Sequence, residues 1–279
     1  MRFGIAYLPT DRTLAPHVVA PALEERGFDA LYVGEHTHIP VSRRTPHPLT
    51  GEHLDEMYLR SLDPWVALGL AASVTSRLRL GTSVALPAEH DPIVLAKEVA
   101  TLDHLSGGRV VLGVGFGWNR EEMEHHGVDP RRRRDVVREK VLAMQAIWSH
   151  DEASYEGEFV RFEPIWSWPK PAQARVPVWI GSAPGPKTFA HLAEYADGWM
   201  PNGGSGLRVQ LPRLRDAWAE AGREGSPEVV VVGVVPDDGK LEFYASLGVT
   251  EAVFGLPPGD LDAARAGLDA LVPFMERHR

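Results

Sequence analysis

Short runs of apolar, β-branched-rich residues alternate along this chain with longer stretches whose apolar positions recur at helical spacing. The first run, Arg2–Tyr7, predicts a strand, and HVVAPALEERGF after it predicts a helix with Gly27 at its C-cap. Asp29–Glu35 (DALYVGE) is a second strand, followed by a long polar loop from His36 to about Leu62. The helix DPWVALGLAASVT begins at Asp63 as N-cap with Pro64 in its first turn. LRLGTSVAL is a third strand, and PIVLAKEVATLDHLS a helix stopped by Gly107 and Gly108. RVVLGVGFG is a fourth strand, with a helix over Arg131–Ser149. Four more pairs follow: VPVWIGS with PKTFAHLAEYA, DGWMPN with RVQLPRLRDAWAEAG, EVVVVGVV with KLEFYASLG, and TEAVFGL with LDAARAGLDALVPFMERH.

That makes eight strand–helix units in one chain. The strand runs are apolar on both faces, as parallel strands covered by helices must be. Eight such units without a break point to an α/β fold, a closed (β/α)8 TIM barrel, forming a single domain over residues 1–279. A doubly wound open sheet is the alternative arrangement of the same elements.

Composition narrows the chemistry. The chain has no cysteine, so disulfides, thiolate metal sites and a cysteine nucleophile are excluded. Redox chemistry here requires a cofactor. A net charge of −9 argues against a general nucleic-acid partner. No run of apolar residues is long enough for a membrane span, and MRFGIAYLPTD lacks the pattern of a signal peptide. A cytoplasmic location is the default expectation. The basic run Arg131–Arg134 reads first as a solvated helix face and second as an anion contact.

A barrel places its active site at the carboxyl ends of the strands. The residues there are Glu35-His36-Thr37-His38, then Thr82-Ser83-Val84, then Gly115-Phe116-Gly117-Trp118-Asn119, then GSAPGPKT (Gly181–Thr188) and Pro201-Asn202-Gly203-Gly204. Few are charged and many offer exposed backbone amides. In GSAPGPKT, the small residues Gly181, Ser182, Ala183 and Gly185 let backbone N–H groups approach a ligand, and a helix starts near Pro186. That combination favours phosphate, with Lys187 as a further charged contact. A ligand-free Gly/Pro-rich connection is the other reading. GVGFGW fails the dinucleotide fingerprint, because Trp118 and Arg120 stand where its third glycine is needed.

The segments GFDALYVGEHTHIP, the block from Leu78 to Gly127, PVWIGS and ADGWMPNG resemble the luciferase-like monooxygenase superfamily, and within it the oxidoreductases that use the deazaflavin coenzyme F420. The resemblance implies a non-prolyl cis peptide at Ser83–Val84, forming a bulge behind the central ring of the cofactor. It places Glu35 and His36 beside the ring, with Thr82, Ser83 and Val84 behind it. Gly115, Phe116, Gly117, Trp118 and Asn119 fall along the ring and ribityl chain, and Gly181, Ser182, Ala183 and Gly185 around the phosphate. It further implies a small-molecule substrate and a homodimer, for which the apolar helix over Pro92–Leu105 is a candidate interface.

A deazaflavin moves hydride, so the protein's tasks are to position it, hold its phosphate and exclude water. His36 is the first candidate for an acid or base and His38 the second. Glu35 is expected to orient His36 or the ring, and His90 to line the pocket or bond Asp91. The loop His36–Leu62 is the candidate lid, with Arg43 and Arg44 as possible anion contacts. Lysines that would hold a sugar phosphate are not found. Three alternatives stay open: the same fold with FMN as a monooxygenase, a non-catalytic flavin-binding protein, and a metal hydrolase built on His36-x-His38.

Overall fold

The computed structural model describes all residues, Met1–Arg279. Strands β1 (Arg2–Tyr7), β2 (Ala30–Val33), β3 (Arg79–Thr82), β4 (Val110–Val114), β7 (Val178–Ile180), β8 (Gly198–Trp199), β9 (Glu228–Val232) and β10 (Glu251–Gly255) form a closed parallel barrel. Closure is made by β1 against β10, with Arg2 opposite Glu251 and Ala6 opposite Gly255. The doubly wound alternative is thereby excluded.

The helices α1 (Pro16–Glu25), α2 (Pro64–Ser73), α3 (Pro92–Ser106), α5 (Arg133–Ser149), α6 (Pro186–Tyr195), α7 (Leu207–Glu220), α8 (Asp238–Ser246) and α9 (Leu261–His278) wrap the outside. Their starts follow local chemistry. Asp63 accepts from Val66 N at 2.8 Å, and Asp91 from Ile93 N at 2.9 Å and Val94 N at 3.0 Å. Each such cap contributes about 1 kcal/mol by satisfying amides that the helix leaves open. Gly107 ends α3 at φ 74°, a conformation that costs glycine nothing.

Two elements were not legible as units. The short helix α4 (Arg120–His125) follows β4, and the antiparallel hairpin of β5 (Glu152–Glu156) and β6 (Arg161–Trp166) stands outside the barrel between α5 and β7. The hairpin strands are mostly exposed, so they lack the continuous apolar run that marks a barrel strand. The expected strands were otherwise in place, although the barrel ladder stops earlier than LRLGTSVAL suggests: β3 ends at Thr82. The chain then rejoins β4, with Ala85 N donating to Gly113 O and Gly115 N to Ala85 O, both at 2.8 Å.

The main core lies between the strands and the helix ring. A smaller cluster fills the barrel interior: Ala30, Tyr32, Val111, Trp179, Met200, Val230 and Val253. The amino-terminal floor is sealed by Glu251, fully buried, which accepts from Tyr32 Oη at 2.9 Å and pairs with Arg2 and Arg79. A cavity of about 330 Å³ there is lined by Arg2, Arg79 and Arg109. Their guanidinium groups are engaged by Glu228, Glu251, Thr75 and backbone carbonyls, so this end is structural. No helix is long and apolar enough to cross a membrane.

Candidate active site

At the carboxyl end of the barrel a cavity of about 630 Å³ opens between the ends of β1, β2, β3, β4, β7 and β8. Of the residues singled out from sequence, Glu35, His36, Ser83, Val84, Trp118, Gly181, Ser182 and Ala183 line it. Thr82, Gly115, Phe116, Gly117, Asn119 and Gly185 do not. Thr82 is fully buried and its Oγ1 donates to Gly113 O at 2.7 Å, a bond that ties β3 to β4. Phe116 is turned outward beneath the Arg134 guanidinium, 4.2 Å from its ring centroid, and packs on His191. Gly117 adopts φ 73° and packs on Met123. Asn119 is buried behind the wall, at the start of α4, with no partner for its amide.

The Ser83–Val84 peptide is cis, as the resemblance implied. The Val84 side chain sits between the loops that follow β4 and β7. A methyl carbon placed on Gly115 would lie 2.4 Å from Val84 Cγ2, and one on Gly181 would lie 2.4 Å from Val84 Cγ1. Both distances are far inside van der Waals contact. Gly115 therefore shapes the site from behind, by making room for Val84, although it does not touch the cavity.

His36 has both ring nitrogens engaged. An indole N–H can only donate, so Trp118 Nε1 at 3.2 Å makes His36 Nε2 the acceptor. The hydrogen then sits on Nδ1, which faces Glu122 Oε2 at 2.8 Å. Glu122 is itself fully buried and receives Thr37 N at 3.1 Å. This corrects the expectation for Glu35. Its Oε2 accepts from Leu86 N and its Oε1 meets His90 Nε2, each at 2.6 Å, so it holds the segment after Val84 and does not orient His36. Burial works to lower the His90 pKa, but the bond and charge of Glu35 outweigh it and the pKa is raised. His90 is thus a partner of Glu35; it does not line the cavity and does not bond Asp91.

His38 is turned away from the cavity, with Nε2 at 2.8 Å from His125 Nδ1 and Nδ1 at 3.0 Å from Thr37 Oγ1. His36 and His38 do not converge on a common point, and no group of three or more His, Asp or Glu side chains has an arrangement able to hold a metal ion. The His36-x-His38 metal reading has no geometry behind it.

Four rings wall one end of the cavity: His36, His47, Tyr58 and Trp118, with centroids 5.0–6.3 Å apart. His47, Pro48, Leu49, Met57 and Tyr58 come from the loop after β2, so that loop does roof the site. Burial, then His36 and Arg43, lowers the pKa of His47 and keeps it uncharged at neutral pH. Arg43 stacks on Trp118 and donates to backbone carbonyls of Thr45 and Glu52, and Arg44 reaches Glu121 at 3.5 Å. Neither arginine enters the cavity.

At the opposite end lies the loop Gly181–Gly185. Trp199 Nε1 donates to Ser182 O at 2.9 Å and Thr188 Oγ1 to Ala183 O at 2.9 Å, which fix its backbone. Gly185 is the N-cap of α6 and brings no side-chain cap, so the first amides of α6 are left for another acceptor. Arg134 reaches this loop from α5, with Nη2 at 3.2 Å from Ser182 Oγ and Nη1 at 3.3 Å from Thr188 Oγ1. Sequence reasoning had merged it with its neighbours. Arg131 and Arg132 do form the expected solvated face, paired with Asp129, Asp135 and Glu158. Arg134 lies on another side of the helix, and helical spacing was the only signal that separated it. Glu122, His47 and Tyr58 were also missed; each reaches the site through a loop or short helix whose path the sequence does not encode locally.

The comparisons agree with the fold. The luciferase-like monooxygenase family profile matches residues 12–236. An uncharacterized protein of Mycobacterium tuberculosis is 50% identical over 274 residues, 97% of each chain. An F420-dependent glucose-6-phosphate dehydrogenase of Nakamurella multipartita is 32% identical over 212 residues, which span 74% of this chain and 58% of that enzyme. Among solved structures, a monooxygenase from Streptomyces bottropensis superposes over 100% of this chain and 99% of its own, with TM-score 0.81 at 19% identity. An F420-dependent secondary alcohol dehydrogenase does so over 100% and 85%, with TM-score 0.67 at 22% identity. At these identities the two structures speak for the fold alone. The matched profile, the barrel and the residues gathered at its carboxyl end together make this chain a member of the luciferase-like monooxygenase family.

Proposed function

We propose that this protein is a coenzyme F420-dependent oxidoreductase that moves hydride between the deazaflavin and an uncharged small organic alcohol or carbonyl compound. The observation that carries the reading is one continuous cavity with two chemically different ends. One end offers a phosphate the small residues Gly181–Ala183, with the open amides of α6 and the Arg134 guanidinium behind that loop, outside the cavity wall. The other end is a box of aromatic rings in which His36 is placed to exchange a proton. The names of relatives at 30–32% identity, F420-dependent glucose-6-phosphate dehydrogenases, support the deazaflavin over FMN. A type II Baeyer–Villiger monooxygenase of Pseudomonas putida, which shares the fold and is in complex with FMN, keeps FMN as the alternative.

The fit between residues and cofactor is specific at the phosphate end. Backbone N–H groups at a helix start and a guanidinium are the donors a phosphate needs. The ring end has Val84 and Met200 on its floor and Trp199 beside them. When bound, the deazaflavin supplies a carbon centre that gives or accepts hydride. The protein's own residues do the rest. Val84, seated on Gly115 and Gly181, sets the depth to which a flat ring descends. His36, with its hydrogen on Nδ1, presents Nε2 as the acceptor. Once the Trp118 indole yields, Nε2 takes the hydroxyl proton of an alcohol, or returns it to the product of carbonyl reduction. Glu35 holds the Leu86–His90 segment that backs the site.

No lysine or arginine lines the cavity, and the one carboxylate there, Glu35, is fully engaged. A sugar phosphate would find no counter-charge at the ring end. The test is anaerobic oxidation of reduced F420 against a panel of ketones and aldehydes and against glucose 6-phosphate run in the oxidative direction. Turnover with an uncharged carbonyl compound is expected. Turnover confined to the phosphorylated sugar would overturn the substrate class. A homodimer belongs to the same proposal: Val66 and Leu70 on α2, Val74 at its end and Val94 on α3 are exposed apolar side chains on adjacent helices, whereas the Leu95–Val99 side of α3 is spent on the core. Light scattering in solution checks it.

A further inference from the structure

Around His36 three carboxyl groups from three segments come together: Glu35 after β2, at the cavity wall, and, outside the wall, Glu89 in the single turn Pro87–Glu89 after β3 and Glu122 on α4. All are buried, with 5%, 8% and 0% exposure respectively. Three neighbouring negative charges in such a place would repel strongly, and each would lose its hydration. Counting donors shows which of them can be charged. Glu35 has two, Leu86 N–H and His90. Glu122 has His36 Nδ1–H at 2.8 Å and Thr37 N–H at 3.1 Å, with His38 N at 3.5 Å. Glu89 has none: neither of its oxygens has a hydrogen-bond partner.

Of the other groups that face Glu89, Thr37 is uncharged, His126 and His90 are committed elsewhere, and the Lys140 ammonium acts on it only through space. His126 Nε2, at the end of α4, is 4.0 Å from Glu89 Oε2 and is bonded instead to Thr37 Oγ1 at 2.8 Å. Burial, then His38, lowers the pKa of His126, so it is neutral at neutral pH. Lys140 on α5 points toward this region but spends its ammonium on the Ala88 and His90 carbonyls, at 2.7 and 2.6 Å. His90 is committed to Glu35. A carboxyl group that is buried, without donors and next to two anchored carboxylates keeps its proton. Burial, followed by the charges of Glu122 and Glu35, raises its pKa well above the carboxylate range. The charge that acts on it most strongly is that of Glu122, which is also the partner of His36.

We propose that Glu89 is a neutral carboxylic acid coupled to the ionised Glu122, and that the pair is the proton store that positions and recharges His36 from behind. The proposal rests on the preceding reading only in taking His36 as the group that exchanges a proton with substrate. In alcohol oxidation, where a bound deazaflavin would be the hydride acceptor, the hydroxyl proton of the substrate passes to His36 Nε2. His36 Nδ1 passes its own hydrogen to Glu122. The pair then holds two protons, and it returns one to Nδ1 when Nε2 gives the substrate proton to water that enters as product leaves, which restores His36 for the next cycle. Carbonyl reduction runs the same steps in reverse. Glu89 and Glu122 are positioning residues in this scheme, because neither lines the cavity.

The experiment uses the protein without cofactor, so that its outcome is independent of which cofactor binds. Carboxyl ¹³C signals of glutamate-labelled protein are followed from acid to alkaline pH, and the His36 ring nitrogens are read in long-range ¹H–¹⁵N spectra. One glutamate carboxyl is expected in the protonated range at pH 7, absent from the spectrum of Glu89→Gln, and ionising only at alkaline pH. His36 is expected with hydrogen on Nδ1 in the wild type and in Glu89→Gln, and with that preference lost in Glu122→Gln. Should Glu89→Gln not fold, Glu89→Leu assigns the same signal without a charge. A Glu89 signal in the carboxylate range at pH 7 overturns the proposal, as does a His36 tautomer indifferent to Glu122→Gln. A protein that turns over with F420 while Glu89 is ionised refutes this inference alone. A protonated Glu89 in a protein that binds no deazaflavin refutes the preceding reading alone.

Discussion

Replacing Gly181 by alanine puts a methyl carbon 2.4 Å from Val84 Cγ1, far inside an ordinary contact at 3.4–4 Å. Val84 cannot retreat toward β4, because Gly115 lies against its other methyl at an equally short approach of 2.4 Å for any added carbon. The clash must therefore be relieved by rotating Val84 into the cavity or by moving the loop after β7. Overpacking of this kind costs about 1–3 kcal/mol. Val84→Ala alone removes two methyl groups from a partly buried side chain and costs roughly 1–2 kcal/mol. In the double variant the new methyl has room, so Gly181→Ala is expected to cost near zero in the Val84→Ala background. The two substitutions should thus couple by about 1–3 kcal/mol in a double-mutant cycle. Urea unfolding followed by tryptophan fluorescence reads the four proteins, and cofactor titration reads the same cycle at the site. Costs that add to within about 0.5 kcal/mol would mean that Val84 is not seated on Gly181, and the account of the cavity floor would fall.

Further predictions concern the other parts of the site. Arg134→Ala removes the one guanidinium at the Ser182–Thr188 loop; loss of a charge-assisted contact of about 1.5–3 kcal/mol should weaken cofactor binding by roughly 10- to 100-fold, read by calorimetry, whereas Arg131→Ala should leave it unchanged. His36→Ala should lower kcat by about 10²- to 10⁴-fold with cofactor affinity little altered, as measured in the steady state. Glu89 carries a pH signature in stability. Its folded pKa is raised to about 9 from an ordinary value of 4.5, so the folded state binds the extra proton between those values. The stability from this group is complete below pH 4.5 and is lost as pH rises toward 9. The slope is about 1.4 kcal/mol per pH unit, roughly 3 kcal/mol between pH 5.5 and 7.5. Glu89→Gln should flatten that decline in urea titrations across the window; an unchanged slope would refute it.

The barrel was legible because each βα unit carries its own signal. Runs such as Val110–Val114, buried along their whole length, are apolar on both faces, and caps such as Asp63 and Gly107 mark where helices begin and end. The hairpin Glu152–Trp166 escaped because its strands expose most of their side chains and alternate weakly. At the site, residues on strand ends were readable, since a barrel directs those ends to one face. His36, Val84, Trp118 and Ser182 all came together there. What was not readable is the partner of each. Glu35 and Glu122 are both acidic and both near His36, and only the path of α4 decides that Glu122 meets its Nδ1. Gly115 and Phe116 sit beside Trp118 in the sequence, yet the turn of the chain at Gly117 places them behind the wall.

The most direct test of the account is a calorimetric titration of the purified protein with coenzyme F420 and, separately, with FMN. Micromolar binding of F420 and weak binding of FMN are expected. Tight binding of FMN with none of F420 would make the protein a flavin enzyme and contradict the proposed hydride chemistry, and binding of neither would contradict the assignment of the cavity between Val84 and Ser182 as a cofactor site.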